Sequence, residues 1–179
     1  KFFLITILAM LINWGVLGYK LVRNWNYSYT VAQKVYDEFK VLDLDETKKN
    51  VIIGLPSRLR QSYIMDYAIG PYNYYKHNDF ILKDKFFDLV YTGALDSGSL
   101  NSELSVKMVN ENEFEIITTG ETQYFMRLDA YSNKYKDKDL ILKLSAENIF
   151  NKPTNMFIKL LSDKVNIILY SEGKFRKLN

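Results

Sequence analysis

The sequence predicts an α+β fold: an N-terminal transmembrane helix and an amphipathic helix, then a small α/β part, then an antiparallel β-sheet or sandwich. Three observations lead to this prediction. Residues 2–19 carry no charge. Between Val31 and Leu42 the apolar residues recur at the spacing of a helix. From Glu103 onward the spacing drops to two, which is the period of strands that bury one face.

The composition fits one globular domain behind a membrane segment. About 155 residues follow the apolar start, enough for one domain with its own core, and 15% of the chain is aromatic. The net charge of +3 comes from 24 basic and 21 acidic residues scattered along the chain. Because no basic patch forms, we predict no nucleic-acid partner.

Several kinds of site are excluded by residue type. The chain has no cysteine, so it contains no disulfide, thiolate metal site or cysteine nucleophile. His77 is the single histidine, which rules out a site built from several histidines; we expect it at the surface, at a helix end. We therefore predict no metal site and no cofactor in this chain.

Residues 1–23 are predicted to form a transmembrane helix. The uncharged run would be about 27 Å long as a helix, close to the hydrocarbon thickness of a bilayer. A helix that is apolar on every side cannot rest on a small core without exposing one face to water.

Three interpretations of this segment are open. It could be a cleaved signal peptide, with Val16 and Gly18 before a cut at Tyr19. It could instead be a single signal anchor, or the last helix of a larger polytopic protein. The length of the run favours a spanning helix over a cleaved signal.

Residues typical of a membrane–water interface lie at the C-terminal end of the run. Aromatic rings prefer the headgroup level, and long basic side chains extend toward it. The predicted interface set is Trp14, Tyr19, Lys20, Arg23 and Trp25. The positive-inside rule taken alone would place the following domain in the cytoplasm.

Residues 24–49 are predicted to form a juxtamembrane unit with its own helix. Residues 24–28 interrupt the apolar run, with Ser28 or Thr30 as N-cap of an amphipathic helix that packs on the domain. The residues that follow, Asp43, Asp45 and Thr47, match the D-x-D-x-T spacing of the nucleophile loop of haloacid-dehalogenase-type phosphatases. No buried strand precedes Asp43, so we predict a solvated helix-to-strand loop.

Residues 50–179 are predicted to form the domain proper. A buried strand over 51–56 ends at a proline, and extended stretches at 61–65 and 86–91 flank a short helix over 70–77. Strands with alternating burial follow, joined by tight turns, and a charged loop over 133–139 is predicted to be solvated. The expected buried positions are Leu104/Val106/Met108, Phe114/Ile116, Tyr124/Met126/Leu128, Leu140/Leu142/Leu144, Met156/Ile158/Leu160 and Val165/Ile167/Leu169.

This order of elements resembles the C-terminal end of polytopic bacterial glycosyltransferases of the GT-C type, similar to dolichyl-phosphate-mannose-protein mannosyltransferases. The resemblance rests on the apolar helix, on residues 51–56, on the aromatic stretch at Tyr63 and on the closing segment 167–174. It implies that the protein lies in the cytoplasmic (inner) membrane with this domain on the extracytoplasmic side. It also implies transfer of a sugar from a polyprenyl-phosphate donor. The family's catalytic carboxylate lies in an early loop absent from these residues, so the resemblance implies a non-catalytic domain.

Two functions follow as expectations. The first is the non-catalytic domain of such an enzyme, with membrane lipid and a lipid-linked sugar or glycan acceptor as partners. The alternative is a free-standing, anchored or exported cell-envelope domain that works by binding or assembly. Candidate substrate-contacting residues are Tyr63, Tyr67, Tyr72, Tyr74 and Tyr75, which could stack on sugars or lie at headgroups, or simply pack within the domain.

Overall fold

The computed structural model has three layers: one long helix, a mixed β-sheet and an antiparallel β-sheet. It describes residues 2–45, 47–59, 62–63, 87–94, 103–120, 123–126, 133–145 and 154–178. The helix is followed by strands only within these ranges. The predicted α+β class, with an N-terminal helix and a downstream sheet, is confirmed. We call the two sheets and their connections the lobe.

Helix α1 (Phe2–Lys40) runs without interruption for 39 residues, about 58 Å. The predicted break at residues 24–28 is wrong, because those residues are helical. Neither predicted N-cap acts as one. Ser28 lies well inside the sequence of the helix, and its side chain is buried. The Thr30 hydroxyl donates to the Asn26 carbonyl 3.0 Å away, one turn back. Such a bond to the carbonyl one turn back slightly destabilises a helix, but here the helix continues through it.

The mixed sheet has the order β11-β10-β1-β3-β6, and β2 pairs with the end of β1. Strand β1 is parallel to both of its neighbours, β10 and β3, while β11 and β6 close the two edges in antiparallel fashion. The strands are β1 (Lys49–Leu59), β2 (Ser62–Tyr63), β3 (Phe87–Ala94), β6 (Gln123–Phe125), β10 (Val165–Ser171) and β11 (Lys174–Lys177).

The second sheet is antiparallel throughout, in the order β4-β5-β9-β8-β7. Its inward positions alternate with outward ones, as predicted for Phe114/Ile116, Leu140/Leu142/Leu144 and Met156/Ile158/Leu160. The predicted hairpin at residues 110–112 joins its first two strands. The strands are β4 (Leu104–Asn110), β5 (Glu113–Thr118), β7 (Lys134–Lys136), β8 (Leu140–Leu144) and β9 (Asn155–Leu160).

The main core lies between the two sheets. The mixed sheet contributes Val51 and Ile53 of β1 and three residues of β10 to this core. The antiparallel sheet contributes the inward side chains of β5, β8 and β9. Burial of this apolar surface is the main source of the lobe's stability, at roughly 1.5–3 kcal/mol for each fully buried large side chain.

Strand β10 differs from the prediction in its sheet and in its burial. The sequence predicts a last antiparallel hairpin with one face buried. Instead β10 pairs in parallel with β1, and every residue from Val165 to Ser171 is buried. The turn at Glu172 and Gly173, both with positive φ, does form the predicted hairpin with β11. The turn at residues 162–163 crosses from one sheet to the other.

Glycine 54 sits at an irregularity that reverses the faces of β1. Ile53 pairs with Val90 and Leu55 with the next residue of β3, so Gly54 is an extra residue in β1. Gly54 has φ +91°, a conformation that favours glycine. As a result Leu55 packs toward the helix, on the same side as Ile52.

The predicted end of the strand at Pro56 is wrong, because β1 continues to Leu59. Pairing with β10 covers only Lys49 to Ile53, and a second irregularity follows Pro56 in the pairing with β3. A proline without an N–H is tolerated next to such irregularities.

Other predictions have mixed outcomes. In β6 the alternation of buried and exposed residues is opposite to the prediction, since Gln123 and Phe125 are buried while Tyr124 is half-buried. Met108, predicted buried, is exposed. The stretch at 86–91 corresponds to β3, and β2 accounts for part of 61–65. The predicted helix over 70–77, with His77, lies outside the described residues.

We expect Gly54→Ala to destabilise the lobe by about 2–4 kcal/mol, from backbone strain and overpacking. A Cβ atom there would lie 2.5 Å from the Tyr170 carbonyl oxygen and 2.6 Å from Leu104 Cδ1. Gly18→Ala is the control, since a Cβ at Gly18 meets no atom within 4 Å. Chemical denaturation of both variants in detergent micelles measures the difference. Equal stability of the two variants would contradict the bulge geometry.

Candidate membrane anchor and its junction with the lobe

The N-terminal half of α1 is exposed on every side. Every described side chain from Phe3 to Arg23 is exposed, including large apolar ones such as Leu11. Within the part of the chain that the structure describes, α1 is the one helix long and apolar enough to cross a membrane. This supports membrane anchoring by length and composition; it does not show which side of a membrane the lobe occupies.

The predicted interface residues lie together in the middle of α1. The five residues Trp14, Tyr19, Lys20, Arg23 and Trp25 are all exposed, and the 12 residues from 14 to 25 extend about 16 Å along the helix axis. The two indoles are 77% and 50% exposed, so neither is buried among the described residues. Their role at a lipid surface stays a prediction.

The C-terminal half of α1 packs on the outer face of the mixed sheet. Val31, Val35 and Phe39 recur at intervals of four residues and are buried, so they form one stripe on the helix. They contact β1 through Ile52 and Leu55, and β10 and β11 through Ile168, Tyr170 and Phe175. The predicted packing of an amphipathic segment on the domain is therefore confirmed, although that segment belongs to α1 itself.

Tyr170 lies at the centre of this junction. Its ring packs against Phe175 at 4.9 Å between centroids, and Phe175 in turn makes an edge contact with Phe39 at 5.9 Å. Burial raises the pKa of Tyr170 to about 12, with a further contribution from the nearby charge of Glu38 and from Tyr27. The phenol is thus neutral at physiological pH and contributes to an apolar interface.

Strand β1 runs back along α1 toward the exposed half of the helix. A Cβ at Gly173 would meet the Lys34 side chain, and Phe175 contacts Phe39, so β11 runs in the same direction as α1. Because β11 is antiparallel to β10 and β10 is parallel to β1, β1 must run in the opposite direction. Consistent with this, β2, at the far end of β1, contacts α1.

Ser28 lies where the exposed half of α1 meets the docked half. Its side chain is buried, and its hydroxyl makes no hydrogen bond within the described residues. An unsatisfied buried hydroxyl costs about 1–3 kcal/mol. The junction is therefore held by apolar packing rather than by this polar group.

A polar cluster lies at the opposite end of the lobe, where β1 begins. Lys49 forms an ion pair with Asp137 and donates to the Tyr135 hydroxyl at 3.0 Å. Asp137 also accepts from the backbone N–H groups of Asp139 and Leu140. The prediction of a solvated loop over 133–139 is confirmed for its three exposed lysines and wrong for the rest, because residues 134–136 form β7 and Asp137 pairs with the start of β1.

The electrostatics of this cluster follow from its partners. Partial burial raises the pKa of Asp137, but the hydrogen bonds from Lys49, from two backbone N–H groups and from Tyr135 outweigh it and lower the pKa to about 2. The carboxylate is thus ionised at neutral pH and fixes the start of β1 against β7.

A second polar contact lies beside it, between the parallel strands β1 and β10. The buried Asn166 amide donates to Asn50 Oδ1 at 3.1 Å, and the Asn50 amide donates to the carbonyls of Asp45 and Lys48. These bonds satisfy the buried amides and fix the position of the connection from α1.

The D-x-D-x-T segment has the predicted structure of a helix-to-strand loop. Helix α1 ends at Lys40, and within the described residues 2–45 no strand precedes Asp43. Asp45 Oδ1 accepts from the Thr47 hydroxyl at 2.6 Å and from its backbone N–H at 2.9 Å, and these bonds lower the pKa of Asp45. The segment is an Asx-type turn that leads into β1.

The outer face of the antiparallel sheet carries a shallow, open groove. Its lining includes Phe157, which is 42% exposed, and the charged residues Glu113, Lys143 and Lys159. Lys159 donates to Glu113 at 2.6 Å, which together with Asn110 lowers the pKa of that glutamate. The other lining residues are Val109, Phe114, Ile141 and Ile158.

The predicted substrate-contacting tyrosines lie almost entirely outside the described residues, so this site stays a prediction. Tyr63 belongs to β2, and its side chain is not among those described; Tyr67, Tyr72, Tyr74 and Tyr75 lie outside the described residues. Within the ranges that the structure describes, no group of three or more acidic, histidine or cysteine residues could hold a metal ion.

No protein-family model, curated protein or solved structure matches this chain. The resemblance to membrane glycosyltransferases therefore stays a prediction from the sequence.

We expect Val35→Ala to destabilise the lobe by about 1–3 kcal/mol, because it removes buried methyl groups from the α1–sheet junction. Val22→Ala removes the same groups from the exposed half of the same helix and should change stability by less than about 0.5 kcal/mol. Denaturant titration of both variants in micelles makes the comparison. If the two variants lost the same stability, α1 would not be docked on the mixed sheet.

We expect Asp137→Asn to lower the stability of the lobe at pH 7 by about 1–2 kcal/mol. A carboxyl whose pKa falls from 3.8 to about 2 on folding contributes stability above pH 3.8, and this is lost as the pH falls toward 2. The difference from wild type should therefore shrink between pH 4 and pH 2. Asp163→Asn, at an exposed turn, is the control and should change the stability at pH 7 by less than about 0.5 kcal/mol.

Proposed function

We propose that this chain is a membrane-anchored domain of the cell envelope whose lobe is held at a fixed height and orientation on the bilayer surface. The lobe then works through contacts with other molecules that reach that surface. The observation that carries the proposal is the continuity of α1: the segment that could cross the membrane and the segment docked on the mixed sheet are one helix.

The height of the lobe follows from the spacing of residues along α1. With Lys20 and Arg23 at the headgroups, Ser28, the first buried residue, is five residues beyond Arg23, or about 8 Å. The headgroup region is roughly 5–8 Å thick on each side of a bilayer. The end of the lobe formed by β2 then rests on the headgroups, while the Lys49–Asp137 cluster points away from them.

The orientation of the lobe follows from the absence of a hinge in the helix. A flexible linker would let the lobe rotate freely over the membrane. Here the backbone hydrogen bonds of α1 continue from the exposed half into a half that is packed on one side by three strands. The outer face of the antiparallel sheet, with its groove at Phe157, is therefore presented laterally at a constant angle to the membrane.

A second candidate function is the one implied by the sequence resemblance: the non-catalytic domain of a glycosyltransferase that uses a polyprenyl-phosphate-linked sugar. The observation that favours it is the location of β2. The Tyr63 backbone lies at the end of the lobe nearest the exposed half of α1, where the headgroup of a lipid-linked sugar would lie. Titration of the chain in nanodiscs with polyprenyl phosphate tests it, and no saturable binding would contradict it.

The proposed side of the membrane is the extracytoplasmic one, which the resemblance implies. The chain has no cysteine, so a single Lys138→Cys substitution at the exposed far end of the lobe gives a unique label. Labelling of intact cells by a membrane-impermeant maleimide supports this side, and labelling only after lysis contradicts it.

We expect Leu11→Arg to reduce membrane insertion, because a charge near the centre of a spanning helix costs about 2.5–3.5 kcal/mol on insertion scales. The fraction of chain that resists alkaline extraction from membranes is the measurement, and it should fall. Gln33→Arg, on the exposed face of the docked half, should leave it unchanged. A wild-type chain fully released by alkali would contradict the anchor.

A further inference from the structure

The polar residues of the exposed half of α1 lie on one stripe. Thr6, Asn13 and Lys20 are spaced by seven residues, which is almost two full helical turns. Asn24, one turn beyond Lys20, continues the stripe and is the first partly buried residue of the helix. The remaining surface between residues 2 and 19 is apolar.

Asn13 is the residue of this stripe whose side chain is most unfavourable to bury in the membrane. With Lys20 at the headgroups, Asn13 and the adjacent Trp14 lie about 9–10 Å inside the hydrocarbon, so Trp14 falls outside the headgroup layer in this placement. Its amide has two donor hydrogens and an acceptor oxygen, more than the backbone of its own helix can satisfy. Such amides in membranes pair with polar groups of neighbouring helices. The position of Asn13 therefore indicates a neighbour on this side of α1.

The stripe is continuous with the face of α1 that docks on the lobe, which limits what the neighbour can be. Residues 24, 28 and 31 extend the same side of the helix into the junction with the mixed sheet. Two copies of this chain that paired in parallel through Asn13 would bring their lobes into the same space directly above the contact. A helix that ends at the bilayer surface meets no such obstacle.

We propose that this stripe binds another transmembrane helix, not a second copy of α1, which carries a hydrogen-bonding side chain at the depth of Asn13 and leaves the bilayer beneath the lobe. The inference rests on the proposed membrane span. It adds a direct partner within the bilayer to the contacts that the lobe makes at the surface.

The experiment uses the full chain in phospholipid vesicles, labelled at Gln33→Cys with a fluorescence donor. The probes are two acceptor-labelled synthetic transmembrane helices, one of leucines only and one with a single central asparagine. We expect the asparagine helix to bind about threefold to thirtyfold more tightly, and Asn13→Leu to remove the difference. Asn26→Leu, on the opposite face of α1, is the matched control and should bind as wild type does.

Three results would overturn the proposal: equal binding of the two probes, a preference that survives in Asn13→Leu, or energy transfer between copies of the chain that requires Asn13. The last would identify a second copy as the occupant. Alkaline extraction of the same vesicles separates this proposal from the anchor. A chain that is extracted contradicts both, whereas an inserted chain without preference for asparagine contradicts the partner helix alone.

Discussion

The packing of the second half of α1 on the mixed sheet is the interaction on which the rest of the structure depends. Val35 and Phe39 cover one face of β1 and β10, and the antiparallel sheet covers the other. Two parallel strand pairs at the centre of a sheet need both faces buried. Without the helix, Ile52, Leu55 and Ile168 would be exposed to water, so the anchor and the third layer of the lobe are one element.

This arrangement accounts for the irregular backbone of β1. The strand must present Val51 and Ile53 to the antiparallel sheet, and Ile52 and Leu55 to the helix. Strict alternation cannot place Ile52 and Leu55 on one side, and the extra residue Gly54 provides the shift. The polar contacts of Lys49 and Asn50 then fix the start of the strand, at the end of the lobe far from the exposed helix.

The fold class and most inward-facing strand positions could be predicted from the sequence, because period and burial are local properties of strands such as β8 and β9.

The choice of which strands pair is not a local property. Nothing in the spacing of Val165, Ile167 and Leu169 distinguishes a parallel neighbour of β1 from a hairpin strand, although the continuous apolar run 167–170 is a signal of burial on both faces. The pairing of Lys49 with Asp137 joins residues 88 positions apart. The predicted break at residues 24–28 does not form, because polar residues alone do not end a helix and the Thr30 hydroxyl bonds back within it. The described residues do not include the side chains of the tyrosine site, so that site stays a prediction.

The most direct test of this account is the distance between spin labels at Gly15→Cys and Gln33→Cys in a nanodisc. Both positions are exposed, and 18 residues make five full turns, so the labels lie on the same side of α1. One continuous helix predicts a single narrow distribution near about 27 Å. A shorter or broad distribution would show a hinge between a membrane helix and a separate docked helix, and would contradict the rigid coupling of lobe and membrane.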